Sequence, residues 1–303
     1  MRSEGDRVAL VAFLVGSMLA GANAVCIRFS NRELEPLWGA GLRFTLAAAL
    51  LVAVAATLRL ALPRGRALVG ALLYGALIFG GAFALAYYSL VRVHAGLGQI
   101  LLALVPLVTL LLAVAERQER LRRTALVGAV VALLGVIVMS RTPLREGVPL
   151  LSLLAGIGSS LCFAQAAIVV RHFPPVHPVA MNAIGMATGA ALLVTGSLVA
   201  REEIQLPRHG ETWAALGYLV AVGSVVVFVL FLLVLRYWTA SRAAYQFAII
   251  PVVTVALSAW LDDEPVTASL ALGGLLVLAG VYVGALRPAA RAAPAAVAQG
   301  DAS

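Results

Sequence analysis

The sequence predicts an all-α integral membrane protein whose ten transmembrane helices form two inverted-topology five-helix repeats. Composition is the first observation behind this prediction, since 62% of the 303 residues are hydrophobic, 12% are charged and the mean hydropathy is +1.00. Soluble domains average about 45–50% apolar and about 25% charged residues. The second observation is a series of long apolar runs, and the third is an internal duplication.

Each apolar run is long enough for a bilayer-spanning helix, which needs roughly 20 apolar residues. The runs are apolar on every side, as between residues 101 and 115, whereas a membrane β-strand alternates apolar and polar residues. We therefore expect helices, near residues 8–28, 37–58, 67–91, 95–115, 124–140, 149–170, 179–200, 212–235, 240–261 and 267–286. The last segment, 287–303, is rich in alanine and proline, and we expect a disordered tail.

Charge indicates the orientation of these helices. All 22 basic residues are arginine, the net charge is +8 and the pI is about 10.3. About two thirds of the arginines flank the side on which both termini lie. The positive-inside rule then predicts cytoplasmic termini in a bacterial-type inner membrane. The basic balance is explained by topology, so we expect lipid around the chain and no nucleic-acid partner.

The duplication relates two halves, 8–140 and 149–286. The first helices match at an offset of 143 residues, as for Arg28 and Arg171, and the second helices at 142, as for Pro36 and Pro178. Later helices match at 145, in the pairs Pro106 and Pro251, Thr109 and Thr254, Glu119 and Glu264, Gly128 and Gly273, and Gly135 and Gly280. Because each half has an odd number of spans, the second half enters the membrane inverted. Inverted repeats are typical of secondary transporters, whose substrate site lies between the halves.

These residues also carry a resemblance to a known family. The motifs are Gly21-x-Asn23, Pro36, Arg43-Phe44, Pro106, and Glu119 followed by Gly128 and Gly135, with Pro178, Pro251, Glu264, Gly273 and Gly280 in the second half. Over roughly residues 8–286 the chain resembles the EamA-type transporters of the drug/metabolite transporter superfamily. The resemblance implies ten helices in two inverted repeats and transport of small metabolites, often export of amino acids. Organic cations or drugs, nucleoside-like metabolites and a channel remain alternatives.

An enzyme is disfavoured by what the sequence lacks. No His-Glu-x-x-His motif occurs, and without lysine there is no phosphate-binding Gly-x4-Gly-Lys motif. Cys26 and Cys162 fall in apolar runs, where thiols behave as small buried hydrophobes. We therefore expect no cofactor and no metal, and a small-molecule substrate that leaves chemically unchanged.

Two prolines are candidate hinges. Pro106 and Pro251 each lie about eleven residues inside a predicted helix, where proline supplies no N–H to the preceding turn. The carbonyls of Leu102 and Phe247 then lack their usual helical partners. Freed carbonyls at membrane depth must face protein or a water-filled cavity, so these helices are expected to border the substrate site, although a static kink is the alternative.

Polar side chains within the spans are candidate substrate ligands, because uncompensated polarity in a bilayer is costly. The alternative role is hydrogen bonding between helices, worth about 0.6 kcal/mol on average. Arg43, the one charge placed within a span, is expected either to pair with a substrate carboxylate or to act structurally, by snorkelling outward or bonding helix-end carbonyls. The candidate substrate-binding residues are Asn23, Tyr88, Gln99, Gln165, Tyr245 and Gln246.

Two further expectations concern coupling and assembly. Every acidic residue falls in a loop, a terminus or a helix end, so no carboxylate is available for proton coupling inside the membrane, and we expect downhill transport or exchange. The pairs Gly185-x3-Gly189 and Gly280-x3-Gly284 are close-packing motifs. Packing within one chain is favoured over a dimer interface, which predicts a monomer or weak homodimer.

Overall fold

A computed structural model describes residues 4–90, 101–140, 149–261 and 268–286, and their regular secondary structure is helical, with no strand among them. The all-α class is thereby confirmed for the described part of the chain. Gln99, Glu264 and the tail fall outside it. The first half contains α1 (Glu4–Ser30), α2 (Pro36–Thr57), α3 (Arg66–Gly75), α4 (Phe83–Leu90), α5 (Val105–Ala115) and α6 (Arg123–Ser140). The second half contains α7 (Leu150–His172), α8 (Pro178–Ala200), α9 (Gly210–Val220), α10 (Val227–Tyr237), α11 (Ala240–Leu261) and α12 (Ala268–Val281).

Six helical segments of the described residues are long and apolar enough to cross a bilayer. Two of them are composite, because a π-helical insert joins α3 to α4 and another joins α9 to α10. The six segments are Glu4–Asn23, Pro36–Thr57, Arg66–Ser89, Leu150–His172, Pro178–Ala200 and Gly210–Tyr237, and shorter apolar helices cover Leu101–Ala115, Arg123–Val138 and Ala271–Leu286.

The π-helical inserts occupy equivalent places in the two halves. We call Ala76–Ala82 π1 and Ala221–Val226 π2; a third, π3 (Tyr282–Leu286), follows α12. Ala76 and Ala221 are separated by the same 145 residues that relate the prolines. The wider π turn changes the hydrogen-bond register, and such turns are frequent at functional sites. Hydropathy does not reveal them, because the inserts are as apolar as the helices around them.

The prediction of one continuous helix over residues 95–115 is wrong, because the helix is interrupted just before Pro106. The chain is helical at residues 101–103, turns at Leu104, and starts α5 at Val105, so that Pro106 lies in the first helical turn. Leu104 N donates to the carbonyl of Leu101 at 3.2 Å, a tighter turn than that of an α-helix. Proline suits a first turn because the missing N–H has no helical partner there. The equivalent Pro251 lies inside the continuous helix α11.

Helix packing between the halves comes in equivalent pairs. The first helix of each half packs against the other half: α1 contacts α9, α10 and α11, and α7 contacts α4 and α5. The second helices, α2 and α8, pack against each other, as do α6 and α12. The glycine motifs serve these internal contacts, since a Cβ on Gly280 would lie 2.5 Å from Ala132 N and 2.6 Å from Gly128 O. A Cβ on Gly185 would likewise lie 3.3 Å from the ring of Phe79.

Candidate functional site

Asn23 of α1 and Arg43 of α2 meet at π2. The carbonyl oxygen of Gly223 accepts hydrogen bonds from Asn23 Nδ2 at 3.3 Å and from Arg43 Nη2 at 3.0 Å. Arg43 Nε also donates to Ser224 Oγ at 2.7 Å. Both donating side chains come from the first half and both acceptors from the second. We call Asn23, Arg43, Gly223 and Ser224 the central polar cluster.

The local sequence of π2 makes this meeting possible. A π turn shifts carbonyls away from their α-helical partners, which leaves acceptors for neighbouring side chains. Gly223 also has no side chain in the way, since a Cβ there would lie 2.9 Å from Asn23 Cγ. The Ser224 hydroxyl, fully buried, accepts from the guanidinium in place of water.

Arg43 is only 1% exposed, so the expectation that it snorkels outward is wrong. Its guanidinium carbon lies 5.0 Å from the centre of the Phe44 ring and 5.5 Å from that of Phe83, distances typical of cation–π contacts. Tyr87, 6% exposed, turns its hydroxyl toward the same guanidinium. The bonded carbonyl belongs to an insert within a span rather than to a helix end.

Two polar atoms of the cluster keep unused hydrogen-bonding capacity. Arg43 Nη1, a donor, and Asn23 Oδ1, an acceptor, are buried and without a hydrogen-bond partner among the described residues. Buried polar atoms are rarely left unpaired, because each costs about 1–3 kcal/mol. A ligand that binds between α1, α2 and π2 would find one donor and one acceptor ready.

A chain of phenylalanine rings from both halves borders the cluster. Phe44 lies 5.0 Å from Phe79 and 4.8 Å from Phe83, measured between ring centres. Phe79 lies 4.8 Å from Phe228 of the second half, and Phe83 lies 5.7 Å from Phe163. The surroundings of the guanidinium are therefore aromatic and apolar.

The equivalent place in the first half has the same scaffold with different chemistry. Ser159 of α7 donates to the carbonyl of Ala82, at the end of π1, at 2.8 Å. A first-helix side chain of each half thus bonds a π-insert carbonyl of the other half, although at the offset of 143 Ser159 corresponds to Gly16 and Asn23 corresponds to Ala166. At the repeat offset of 142, however, Arg43 corresponds to Gly185, which packs against Phe79. Within the described residues the charged cluster occurs on one side of the duplication only.

Equivalent hydroxyl groups have different partners in the two halves. Thr254 of α11 donates across the interface to the carbonyl of Gly21 in α1 at 2.9 Å, whereas Thr109 donates to Val105 of its own helix at 2.7 Å. Ser160 of α7 shows the same pattern, since again the second-half hydroxyl bonds across to the first half. It donates to the carbonyl of Leu101 at 2.6 Å, while its counterpart at the offset of 143, Ser17, donates within its own helix to Phe13 at 2.7 Å.

Two candidate residues lie apart from the central polar cluster. Tyr88 is 51% exposed on the surface, and the adjacent Tyr87 faces Arg43 instead. Gln246 is 3% exposed and lies against α1, where a Cβ on Gly16 would be 2.7 Å from Gln246 Nε2. Its Oε1 is buried without a partner among the described residues, so it keeps ligand capacity one turn before Pro251.

Gln165 and Tyr245 make hydrogen bonds to other helices. Gln165 Nε2 donates to Glu116 Oε1 at 2.7 Å, at the end of α5. The Tyr245 hydroxyl donates to the carbonyl of Ala125 in α6 at 2.5 Å. Both side chains therefore connect helices in this conformation. Gln99 lies outside the described residues.

Polar side chains also join the halves at the end of the molecule where α1 finishes. Glu33 accepts from the backbone N–H groups of Arg208 and His209, at 3.2 and 3.3 Å, and contacts His209 Nδ1 at 2.5 Å. A hydrogen bond from the Thr212 hydroxyl, foremost, together with those from His209 and the backbone, lowers the pKa of Glu33 from 4.5 to about 2. Glu202 accepts from the first N–H groups of α2, at Leu37 and Trp38.

The opposite end, where α1 begins, is joined by a second set of contacts. Arg242 Nη1 lies 2.9 Å from Asp6 Oδ1, and Trp238 Nε1 donates to the same oxygen at 2.8 Å. Glu119 of the first half accepts from Ser241 N at 3.0 Å, at the start of α11. A helix N-terminus favours a carboxylate because its N–H groups are unpaired. The described residues hold no group of three or more His, Cys, Asp or Glu side chains placed to bind a metal.

Sequence reasoning missed Gly223, Ser224 and Ser159 as site residues, and it favoured Tyr88 over the adjacent Tyr87 as a substrate ligand. No sequence signal identifies Gly223 or Ser224, since small residues are common in membrane helices. Tyr87 stands beside Tyr88 in the sequence, and one residue of rotation around a helix decides which of the two faces inward.

Comparison with known proteins agrees with this architecture. The profile of the EamA-like transporter family matches residues 7–141 and again 150–285. "Uncharacterized inner membrane transporter YedA" of Escherichia coli K12 is 29% identical over 268 residues, covering 87% of this chain and 86% of that protein. A "Probable amino-acid metabolite efflux pump" of Salmonella typhimurium is 26% identical, covering 87% and 90%.

A solved crystal structure shares the fold, with a TM-score of 0.77 at 20% identity over 94% of this chain and 98% of that one. The resemblance predicted from the motifs is confirmed, because the family profile matches both halves and together the matches cover most of the sequence. The chain is a multi-pass membrane protein that belongs to the EamA-like transporter family.

Proposed function

We propose that this protein is a secondary transporter of the inner membrane that exports amino acids or related small metabolites by alternating access. Family membership and the names of the relatives, an inner membrane transporter and an amino-acid metabolite efflux pump, support the class and the direction. The proposal includes inverted repeats over 8–140 and 149–286 and cytoplasmic termini, and the tail expected over 287–303 lies outside the described residues. The substrate crosses unchanged, without an enzymatic step.

The different hydrogen-bond partners of equivalent hydroxyl groups in the two halves support alternating access. Inverted-repeat transporters change access by exchanging the conformations of their repeats. In the other state, Thr109 would donate across the interface to Ala164, the residue equivalent to Gly21, while Thr254 would turn to Ile250 of its own helix. Each hydroxyl keeps one hydrogen bond in both states, so the exchange leaves no buried hydroxyl unpaired.

The prolines mark the positions at which α5 and α11 can bend during this exchange. Pro251 leaves the carbonyl of Phe247 without its helical donor inside α11, and the break before Pro106 separates α5 from residues 101–103. The two equivalent helices are thus in different conformations, one continuous and one broken. We propose that the two helices exchange these conformations as access alternates, so that each takes up the shape that the other has here.

The proposal excludes proton coupling through a carboxylate in the described spans. Every carboxylate of the described residues lies at a helix end or in a loop, as Glu33, Glu116 and Glu119 do. Transport is then downhill or by exchange. Flux that follows an imposed pH gradient in vesicles, and stops with a protonophore, would contradict this part.

The packing of the glycine motifs supports a monomer or weak homodimer. Gly280 of α12 faces α6 of the same chain, Gly284 of π3 faces Tyr245 of α11, and Gly185 and Gly189 of α8 face π1 and α3. These faces are not available for a second copy, which favours a monomer or weak homodimer.

Counterflow in proteoliposomes tests the proposal. Vesicles preloaded with an unlabelled amino acid should accumulate the labelled compound transiently and with saturation, which is a property of a carrier. Organic cations and nucleosides form parallel arms, and counterflow of these alone would replace the amino-acid assignment. Non-saturating flux without counterflow would indicate a channel and overturn alternating access. Reporter fusions at both ends should read as cytoplasmic.

A further inference from the structure

The central polar cluster contains a buried positive charge without a counter-charge. Arg43 is 1% exposed, and its partners, Ser224 Oγ, the Gly223 carbonyl and the Tyr87 hydroxyl, carry no negative charge. Within the described residues no carboxylate lies within ion-pair distance of the guanidinium. An ionised group in a membrane core is costly and marks a substrate or ion path by default. An anionic group delivered by a ligand would supply the missing charge.

The polar atoms of the cluster that lack hydrogen-bond partners among the described residues indicate which other group the ligand carries. Asn23 Nδ2 and Arg43 Nη2 lie 3.3 and 3.0 Å from one acceptor, the carbonyl oxygen of Gly223, so the two side chains converge. Their unused atoms are a cationic donor, Arg43 Nη1, and a neutral acceptor, Asn23 Oδ1. A ligand that matches both carries an anionic group and a hydrogen-bond donor.

The phenylalanine rings beside the central polar cluster determine which ligand side chains fit there. Phe44 and Phe83 flank the guanidinium, and the ring chain continues through Phe79 and Phe228. Buried aromatic rings favour apolar groups. A second charge on the ligand side chain would meet no described charged partner there.

We propose, resting on the transport function above, that Arg43 and Asn23 recognise the head group of the substrate. The substrate is then a zwitterion whose carboxylate binds Arg43 Nη1 and whose ammonium donates to Asn23 Oδ1. Its side chain is apolar and lies against Phe44 and Phe83. Arg43 Nε and Nη2 stay bonded to π2, so the ligand completes a contact that already joins the two halves.

Matched ligands test this inference on the purified full-length wild-type protein. L-leucine, L-methionine and L-phenylalanine are compared by thermal shift and counterflow with their amides, which lack the carboxylate, and their deaminated acids. Hydrogen bonds to charged groups contribute about 1.5–3 kcal/mol. We therefore expect the amide and the deaminated acid to bind about tenfold to a hundredfold more weakly than the amino acid.

Variants separate recognition from a structural role. Arg43→Gln should abolish the preference for acid over amide, and Asn23→Ala should abolish the preference for amino acid over deaminated acid. Ser224→Ala removes one of the two hydrogen bonds between Arg43 and π2 but keeps the guanidinium, so it should lower stability without abolishing either preference. Ser197→Ala, which removes a buried hydroxyl without a hydrogen-bond partner in the described residues, is the matched control.

The outcomes distinguish this inference from the transport function. If wild-type protein transports the amides as well as the amino acids, the head-group assignment is overturned and the transporter stands. If Arg43→Gln folds and keeps the wild-type preference for acid over amide, Arg43 is structural only. If no amino acid gives counterflow while another class does, the proposed substrate class fails together with this inference.

Discussion

Arg43 donates to the hydroxyl of Ser224 at 2.7 Å and thereby joins α2 of the first half to π2 of the second. The residues are 181 positions apart. At the equivalent place of the other half, Gly185 packs against Phe79. The two halves share a scaffold, and at this place the first-half helix carries a charge while its second-half equivalent is a glycine in apolar surroundings. An asymmetric site of this kind can bind an asymmetric ligand in one orientation.

Thr254 and Thr109 should respond differently to the same substitution. Thr254→Val removes a hydrogen bond between α11 and α1, whereas Thr109→Val removes one within α5. We expect faster amide hydrogen exchange around Gly21 in the first variant and unchanged exchange around Ala164 in the second. Mass spectrometry of exchanged peptides provides the measurement. Equal effects on α1 and α7 would contradict the asymmetry.

Ser159 should stabilise the contact with π1. Ser159→Ala leaves the carbonyl of Ala82 without its donor, and a buried hydrogen bond contributes about 0.5–1.5 kcal/mol. The unfolding temperature in detergent should fall in this variant. Ser197→Ala is the control, because that buried hydroxyl has no hydrogen-bond partner among the described residues and its loss should be neutral or stabilising. A larger loss in Ser197→Ala would refute the assignment.

Gly280 and Gly217 should give opposite results when each is replaced by alanine. A Cβ on Gly280 would meet backbone atoms of α6 at 2.5 and 2.6 Å, and overpacking costs about 1–3 kcal/mol. Gly217 in α9 has nothing within 4 Å of the added carbon, so Gly217→Ala should stabilise by about 0.4–1 kcal/mol. Thermal unfolding of both variants checks the signs. A tolerated Gly280→Ala would show that α6 and α12 do not pack closely.

Pro251 should affect transport more than stability. Pro251→Ala restores a donor for the carbonyl of Phe247 and stiffens α11, so the exchange rate in counterflow should fall several-fold while the unfolding temperature stays level or rises. Pro36→Ala, at the first residue of α2, is the control, since proline there frees no carbonyl. An unchanged rate in Pro251→Ala would identify the proline as a static kink.

Glu33 should contribute stability above pH 4.5 and lose it on acidification. Its pKa falls from 4.5 to about 2 in the folded protein, because the Thr212 hydroxyl foremost, and then His209 and the backbone, donate to the carboxylate. As pH drops below 4.5 the unfolded chain takes up the proton first, so the contribution shrinks and is gone near pH 2. The difference in unfolding temperature between wild type and Glu33→Gln should therefore be larger at pH 7 than at pH 3. A constant difference would contradict the lowered pKa.

Hydropathy and duplication predicted much of the fold. Predicted and observed helix ends agree within a few residues for most spans, including 240–261 for α11. Pro106 is the exception, since periodicity places it inside a helix and the structure places it in a first turn. Of the candidate residues, Asn23 and Arg43 come together at π2, whereas Gln165 and Tyr245 bond to other helices.

The sequence by itself determined that the protein is a helical membrane protein, where most helices run and that its two halves are related. Apolar runs, arginine placement and repeated prolines are local or periodic features, which are legible along the chain. The tertiary structure alone decided that Asn23 meets Gly223, 200 residues away, and that equivalent hydroxyls choose different partners. Those contacts depend on the rotation and register of packed helices, and a shift of one residue turns a side chain by about 100° around its helix.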